Sequence, residues 1–259
     1  MSRLLLPIAL LLSLVGCERS PEPAAPAIDV VTPPAPPPAT TAAPAELQAR
    51  AIRFTLKDTT GCDDRCARFE ADWLEFPQQP ALNRLVLDHV SAPEADSTKS
   101  ALTRQGREFL RDAMEAQEPW EQIFKVNMIP GLGDVSVIEV VAYSYTGGAH
   151  GMTTISTLNF DRATNQVLSL SDIIQPERES QFWQIARRAH EQWINAQDDP
   201  ASFDGWPFVP TSTFLLTPDA LQLQYDPYAI GPYSMGSPLI SIAYERLQDV
   251  LRREYLPER

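Results

Sequence analysis

The sequence has few of the residues on which most catalytic and metal sites depend. Its 259 residues include three histidines and three cysteines. None of the histidines lies in an H-x-H or H-E-x-x-H pattern, which argues against the common zinc motifs. A Gly-x-Ser-x-Gly nucleophile context is also missing. We therefore predict no metal, no cofactor and no catalytic residues, and we expect the protein not to be an enzyme.

Basic residues are outnumbered as well. Lys and Arg total 21 against 34 Asp and Glu, which gives a net charge of −13. Nucleic-acid phosphates require a basic surface, so we expect no nucleic-acid partner. An acidic surface attracts cationic proteins by long-range electrostatics, although the same charge also serves plain solubility.

Long apolar runs are confined to the N-terminus. Leu4–Leu14 follows the single charge of Arg3 and is shorter than the about 20 residues that span a bilayer. The segment Leu14–Cys17 resembles a bacterial lipobox. Residues 1–16 are therefore predicted to be a lipoprotein signal peptide, with Cys17 as the lipidated residue. Glu18 in place of an aspartate favours the outer membrane, facing the periplasm, over the inner membrane.

Proline and alanine dominate residues 17–49. Nine of the 24 prolines of the chain lie there, with few large apolar side chains. Such a composition populates extended polyproline II and cannot bury a core. We predict a disordered tether that holds the folded part of the chain away from the membrane.

Two cysteines remain after the lipidation site. Cys62 and Cys66 lie in a C-x-x-x-C spacing, which differs from the redox C-x-x-C motif. Disulfides persist in the periplasm, so we predict a structural disulfide that closes a very short loop. A pair of reduced thiols in a helical turn is the alternative.

The apolar periodicity predicts two long helices and a shorter third one. Ser97–Gln117 and Glu177–Ala196 each keep one apolar face, and Ser97 is a good N-cap. Ser171-Asp172 is a predicted capping pair before a shorter apolar segment. The third predicted helix is Glu245–Tyr255, at the C-terminal end of the chain.

Strand patterns alternate with these helices. Arg68–Phe76 alternates polar and apolar residues, and Trp120–Ile129 and Val135–Tyr145 flank a hairpin turn. Hairpins indicate antiparallel pairing, so we predict an α+β fold with largely antiparallel sheets and long helices packed against them. Residues 50–150 are its predicted N-terminal half and residues 151–256 its C-terminal half.

Two segments rich in glycine and tyrosine are predicted to form one surface. Val140–Gly151 runs from a strand into a double-glycine turn, and Pro227–Pro238 has the same aromatic character. Tyrosine gives a large contact area for little lost entropy, which suits a binding loop, although rings folded inward over the core are an equal alternative. The candidate binding residues are Tyr145, Thr146, Gly147, Gly148, His150, Tyr228 and Tyr233.

The histidines differ in what they suggest. His150 follows the glycine pair, where it either contacts a ligand or donates to a backbone carbonyl and stabilises the turn. His190 lies beside Glu191 on a predicted helix and is expected to face solvent.

The pairing of the motifs YTGGAHG (residues 145–151) and DPYAIGPYSMG (residues 226–236) resembles the RsiV-like extracytoplasmic domain of a lysozyme-sensing anti-sigma factor. That domain belongs to a large family of unknown function, found also in bacterial lipoproteins and beside PdaC-type peptidoglycan deacetylases. The resemblance covers roughly residues 51–251. It implies a contact with lysozyme or with peptidoglycan.

The resemblance leaves the function open between three classes. A non-catalytic binding module, tethered to the membrane by its lipid, is the first and preferred hypothesis. The second is a cell-wall-modifying enzyme, either a peptidoglycan hydrolase or an accessory to a deacetylase. The third is a structural envelope lipoprotein without a dedicated ligand. We expect neither a sigma-binding segment nor a deacetylase domain in this sequence.

Overall fold

The computed structural model describes residues 45–58 and 66–258. The predicted signal peptide, the lipidation site Cys17, most of the tether and Cys62 lie outside the described residues. The lipid anchor and the Cys62–Cys66 disulfide therefore stay predictions. In the described ranges, no helix is long and apolar enough to cross a membrane.

A six-stranded sheet forms the centre of the fold, with its strands in sequential order. The strands are β1 (Arg50–Lys57), β2 (Arg68–Glu75), β3 (Glu121–Pro130), β4 (Val135–Tyr145), β5 (Met152–Asp161) and β6 (Gln166–Leu168). All neighbours are antiparallel except β2 and β3, which are parallel. A parallel pair needs a crossover connection, and the two helices α1 (Pro80–Asp88) and α2 (Thr98–Ala116) provide it. The prediction of an α+β fold with largely antiparallel sheets is confirmed.

The alternation along β4 supplies a core on each face of this sheet. Ile138 and Val140 point to the helices α1 and α2, together with Phe69, Ala71 and Trp73 of β2. Val135 and Val137 point the other way, into a second core. Because successive side chains of a strand face opposite sides, one strand contributes to both cores.

Helix α2 begins and ends as its sequence predicts. The Ser97 side chain is the N-cap and accepts a hydrogen bond from the Ser100 N–H at 3.2 Å. Gln117 ends the helix with a left-handed φ of 57°. The short helix α3 (Leu170–Ile173) differs from its prediction, because its N-cap is Ser169 rather than Ser171. Asp172 then lies at the third helical position, and its carboxylate accepts a hydrogen bond from the Ser169 N–H at 2.8 Å. This is the arrangement of a capping box.

A second layer covers part of the sheet. It consists of helix α4 (Glu179–Asn195) and a three-stranded antiparallel sheet of β7 (Phe214–Leu216), β8 (Ala220–Gln224) and β9 (Leu239–Ala243). Buried Asn159 on β5 joins the two sheets, since its amide donates to the Phe214 carbonyl and accepts from the Leu216 N–H, both at 2.8 Å. The layer covers only the end of the sheet that carries Val135 and Val137.

The prediction of a helix over Glu245–Tyr255 is wrong. This segment instead contains two short 3-10 turns, Tyr244–Arg246 and Arg253–Tyr255, separated by hydrogen-bonded turns over residues 247–250 and a single bridge residue, Leu251. Leu251 forms a β-bridge with Ile174, and the Arg252 N–H donates to the Ile173 carbonyl at 2.8 Å. Long-range backbone pairing therefore overrides the local helical spacing of the apolar residues.

His190 is buried rather than facing solvent. It is 3 % exposed and packs against the rings of Trp193 and Phe208, with ring centroids 6.0 and 5.7 Å away. Its Nε2 has no hydrogen-bond partner among the described residues. The buried residues of α4 are Phe182, Ala186, Ala189 and His190, which recur at the spacing of one helical face. The position of His190 on this face therefore decides that it is buried, although its neighbour Glu191 is charged.

This burial predicts a loss of stability in acid. Desolvation has the largest effect on the pKa of His190 and lowers it below the usual value of 6.5. Glu191 raises this pKa, and Arg187 lowers it further. Above pH 6.5 the imidazole is neutral in both states; below it, the unfolded chain takes up the proton first. The free energy of unfolding should therefore fall as the pH drops below 6.5, by up to about 1.4 kcal/mol per pH unit from this group.

The test compares the parent with His190→Phe by urea unfolding at pH 7.5, 6.5 and 5.5. Phenylalanine keeps an aromatic ring in this apolar site but cannot be protonated. The difference in stability between the two proteins should be constant above pH 6.5 and should move in favour of the variant below it. Parallel pH profiles for the two proteins would show that His190 has no such role.

Candidate functional site

The two predicted loops are in direct contact. Loop 1 (residues 146–151) joins β4 to β5, and loop 2 (residues 226–238) joins β8 to β9. The rings of His150 in loop 1 and Tyr233 in loop 2 stack with centroids 4.2 Å apart and planes 25° apart. The Tyr233 hydroxyl also donates to the Gly151 carbonyl at 2.8 Å. The loops therefore form one continuous surface.

Loop 1 has the geometry that its glycines allow. Gly147 and Gly148 have φ angles of 99° and 93°, in the region that side chains rarely adopt. The Tyr145 hydroxyl donates to the Gly148 carbonyl at 3.1 Å and stabilises the turn. His150 Nδ1 lies 3.0 Å from the Gly151 carbonyl. His150 thus contacts the backbone of its own loop, and its ring is still available as part of the surface, where Thr146 is exposed as well.

Gly151 is required for another reason, which is the close approach of Tyr143. A Cβ at position 151 would lie 2.4 Å from the Tyr143 ring. Tyr143 and Tyr145 point to the same face of β4, as the alternation of the strand predicts. Desolvation, and then the carboxylate of Glu121, raise the pKa of Tyr143. The ring therefore fills the corner between the sheet and the two loops.

Four rings form a row across the loops. We call His150, Tyr233, Tyr228 and Trp206 the aromatic row. The Tyr233 and Tyr228 centroids are 5.4 Å apart, and the Tyr228 and Trp206 centroids are 6.5 Å apart. Tyr228 is 49 % exposed, although aromatic side chains of this size are usually more buried. His150 is also exposed, and Tyr233 and Trp206 are half-buried, so the row forms a partly exposed aromatic surface beside the uncovered part of the sheet.

Tyr228 has a strained backbone at the middle of this row. Its φ is 70°, an uncommon value for a bulky residue that lacks the freedom of glycine. Such strain costs of order 1–3 kcal/mol and is concentrated at functional sites. The loop thus keeps an exposed tyrosine in an unfavourable conformation, which points to a role for the ring itself.

The tyrosines of loop 2 and its flank separate into two groups. Tyr225 is 3 % exposed, and its hydroxyl donates to the Val209 carbonyl at 3.0 Å. Burial raises its pKa to about 12, so this residue belongs to the core. Tyr228 and Tyr233 face outward or partly outward. The sequence left open whether these rings form a binding loop or fold inward over the core. Tyr225 folds inward, whereas Tyr228 and Tyr233 lie on the loop surface.

Sequence reasoning missed Trp206, which ends the aromatic row. Trp206 follows Asp204 and Gly205 and precedes Pro207, so it lies in a turn-rich segment. A large ring in such a segment is a signal for exposure, because turns run over the surface. The contact of Trp206 with Tyr228 joins positions 22 residues apart, which no local pattern specifies.

The uncovered part of the sheet beside the loops is polar and mostly self-paired. Arg68 is ion-paired with Glu121 and lies 3.6 Å from Glu70, and Arg53 contacts Asp72 at 2.7 Å. These side chains share the face of Tyr143, as the strand register requires. Because the charges compensate one another, the aromatic row is the feature that distinguishes this surface.

The arrangement offers a contact area of aromatic rings. No group of three or more His, Cys, Asp and Glu in the described part of the chain could hold a metal ion. The polar and ring contacts of His150 there are with Gly151 and Tyr233, without a carboxylate to orient the imidazole for proton transfer. The geometry therefore defines an α+β domain with an exposed aromatic surface built from two loops.

Comparison with known proteins assigns this domain to a family. A model of a protein family described as "Protein of unknown function (DUF3298)" matches residues 171–245. The fold is similar to that of a DUF3298 family protein from Pseudomonas aeruginosa PAO1, with a TM-score of 0.70 and 31% sequence identity over 83% of this chain and 99% of that one. The chain belongs to the DUF3298 family.

Two further relatives extend this result. A DUF3298 family member from Bacteroides fragilis NCTC 9343 has the same fold, with a TM-score of 0.65 over 80% of this chain and 94% of that one, at 18% identity. The peptidoglycan-N-acetylmuramic acid deacetylase PdaC of Bacillus subtilis (strain 168) is 30% identical over 121 residues, which are 44% of this chain and 26% of the enzyme. The chain thus matches about a quarter of the length of the deacetylase.

Proposed function

We propose that this protein is a non-catalytic binding module of the cell envelope, and that its aromatic row holds the glycan strand of peptidoglycan. The aromatic row is the observation that carries the proposal. Sugar rings have apolar faces of C–H groups that pack on aromatic faces, while their hydroxyls need polar neighbours. The aromatic row supplies the rings, and the polar sheet surface beside it supplies the polar neighbours.

The deacetylase relative supports the same polymer. Its name states that it acts on peptidoglycan N-acetylmuramic acid. The matching region is about a quarter of that enzyme, and the described residues of this chain contain no group of His, Cys, Asp and Glu that could hold a metal ion. A shared role in holding the polymer, rather than in deacetylating it, explains why such a region occurs in both chains.

The predicted lipid anchor gives this module its location. A diacylglycerol on Cys17 and a tether of residues 17–49 would hold the domain at the periplasmic face of the outer membrane. A tether of about 30 residues in polyproline II reaches up to about 90 Å. The domain would then reach the peptidoglycan layer while its anchor stays in the membrane.

Lysozyme is a second candidate partner. The resemblance to the domain of a lysozyme-sensing anti-sigma factor suggests it, and the net charge of −13 favours a cationic protein. The exposed ring of Tyr228 and the half-buried ring of Trp206 would also attract Lys and Arg side chains by cation–π interactions. The same row of rings would serve either partner, so one set of variants tests both.

The test is co-sedimentation of the folded domain with purified peptidoglycan sacculi. Tyr228→Gly should weaken binding at least tenfold, because it removes the exposed ring. The same change should leave thermal stability equal or higher, since glycine relieves the positive φ. Met114→Ala, which shortens an apolar side chain that is 50 % exposed on α2, is the matched control and should bind as the parent does.

Each outcome decides between the candidates. Binding to sacculi that Tyr228→Gly and Trp206→Ala both weaken supports the proposal. If the parent binds lysozyme but not sacculi, with the same sensitivity to these variants, the partner is the cationic protein instead. If neither ligand binds, or if Met114→Ala weakens binding as much as Tyr228→Gly, the proposal of a binding module at the aromatic row fails.

A further inference from the structure

A second surface, formed by α4 and the turn after β9, carries two arginines that form no ion pair with the described residues. A groove of about 630 Å³ runs along the outer face of α4. It is lined by Gln181, Gln184, Ile185, Arg188, Gln192 and Arg246. The volume lies within the range of about 300–1,000 Å³ that is typical of ligand sites.

Helical spacing builds one wall of this groove. Positions 181, 184, 185, 188 and 192 recur at intervals of three or four residues, so they share one face of α4. The opposite face, which includes Phe182 and Ala186, is buried in the core and holds the helix in place. Strand β9 packs against α4, and the turn Tyr244–Arg246 follows it directly. That turn delivers Arg246 to the second wall.

The charges of the groove are unusual for this protein. Its lining includes two arginines and no acidic residue, in a chain of net charge −13. Arg246 is positioned by a hydrogen bond from its guanidinium to Gln192 Oε1 at 2.9 Å. In the part of the chain that the structure describes, neither arginine forms an ion pair. Both guanidinium groups therefore remain available to an anion.

We propose that this groove binds an extended peptide that carries carboxylate side chains. The planar fork of a guanidinium matches a carboxylate with two parallel hydrogen bonds. Glutamine amides both donate and accept, as a peptide backbone does, and Ile185 offers an apolar contact. From Gln181 to Gln192 the helix rises about 16 Å, the length of about five extended residues.

The experiment measures binding of an N-acetylated, C-amidated pentaglutamate to the folded domain by isothermal titration calorimetry. Pentaglutamine of the same length is the uncharged control ligand. We expect the double variant Arg188→Gln, Arg246→Gln to bind pentaglutamate at least tenfold more weakly than the parent. Arg84→Gln, an exposed position on α1, changes the net charge in the same direction and should have at most a twofold effect.

The result can also overturn the proposal. It fails if pentaglutamate does not bind, if pentaglutamine binds equally well, or if Arg84→Gln weakens binding as much as a groove variant. Displacement of the peptide by millimolar inorganic phosphate would make the groove a site for phosphate, not for a peptide. Arg188→Gln alone and circular dichroism of each variant exclude misfolding, since the Arg188 side chain is exposed and its loss should not affect folding.

Discussion

Replacement of Asn159 by alanine should lower the free energy of unfolding by about 2–4 kcal/mol, because it leaves a buried backbone donor without a partner. Asn159 is 1 % exposed and supplies both the donor to the Phe214 carbonyl and the acceptor for the Leu216 N–H. These two bonds join the six-stranded sheet to β7. Urea unfolding monitored by tryptophan fluorescence measures the loss.

A neighbouring threonine provides the matched control. The Thr157 hydroxyl also donates to the Phe214 carbonyl, at 2.8 Å. Thr157→Val removes this donor but leaves Asn159 to satisfy the carbonyl, so we expect a loss below about 1 kcal/mol. In Asn159→Ala, amide hydrogen exchange should also speed up in β7 and β8 more than in β3. Equal losses for the two variants would contradict the bridging role of Asn159.

Gly106→Ala should destabilise the protein by about 1–3 kcal/mol, even though alanine is the better helix former. Gly106 lies in the middle of α2, where propensity alone favours alanine by about 1 kcal/mol. A Cβ at this position would lie 2.6 Å from the ring of Phe69 and 2.9 Å from Leu56. Phe69 is fully buried and cannot move aside. Thermal unfolding and the urea midpoint both report the change.

Gly205→Ala separates sterics from the general effect of replacing glycine. A Cβ at position 205 meets no atom within 4 Å, and its φ is not left-handed. This variant should be neutral or slightly more stable, because alanine restricts the unfolded chain. If Gly106→Ala is instead more stable than the parent, α2 can move away from β2, and the close approach of the helix is not required.

These variants concern the scaffold that holds the aromatic row in place. Loop 2 follows β8 and loop 1 follows β4, so the contact of His150 with Tyr233 depends on how the small sheet is docked on the large one. Asn159 lies at that junction. A reduction of the proposed peptidoglycan binding in Asn159→Ala, at a temperature where the protein is still folded, would connect the docking of the two sheets to the surface of the loops.

Several elements could be predicted because their causes are local. The alternation in β2 and β4 assigns each side chain to a face, and Ser97 marks the start of α2. The glycine pair marks the turn of loop 1, and both glycines have positive φ angles in the structure. Each of these signals acts over a few residues, through sterics or a hydrogen bond to a near neighbour.

Other features depend on contacts between distant parts of the chain. The apolar spacing of Glu245–Tyr255 is helical, but backbone pairing of residues 250–252 with residues 173–175 divides the segment into short turns. Tyr225 and Tyr228 have similar local sequence surroundings, yet one is in the core and the other is exposed. A neighbour supplied by a remote segment decides between the two environments, and no local pattern contains that information.

The sequence by itself determined most of the elements, the largely antiparallel character of the sheets and the two glycine-tyrosine loops. The tertiary structure alone decided that these loops meet, that Trp206 extends their rings into a row, and that the arginines of α4 and the turn after β9 share a groove. Periodicity and capping are encoded within a turn or a strand. Surfaces arise where segments far apart in sequence pack together, because burial of the shared core selects which of them become neighbours.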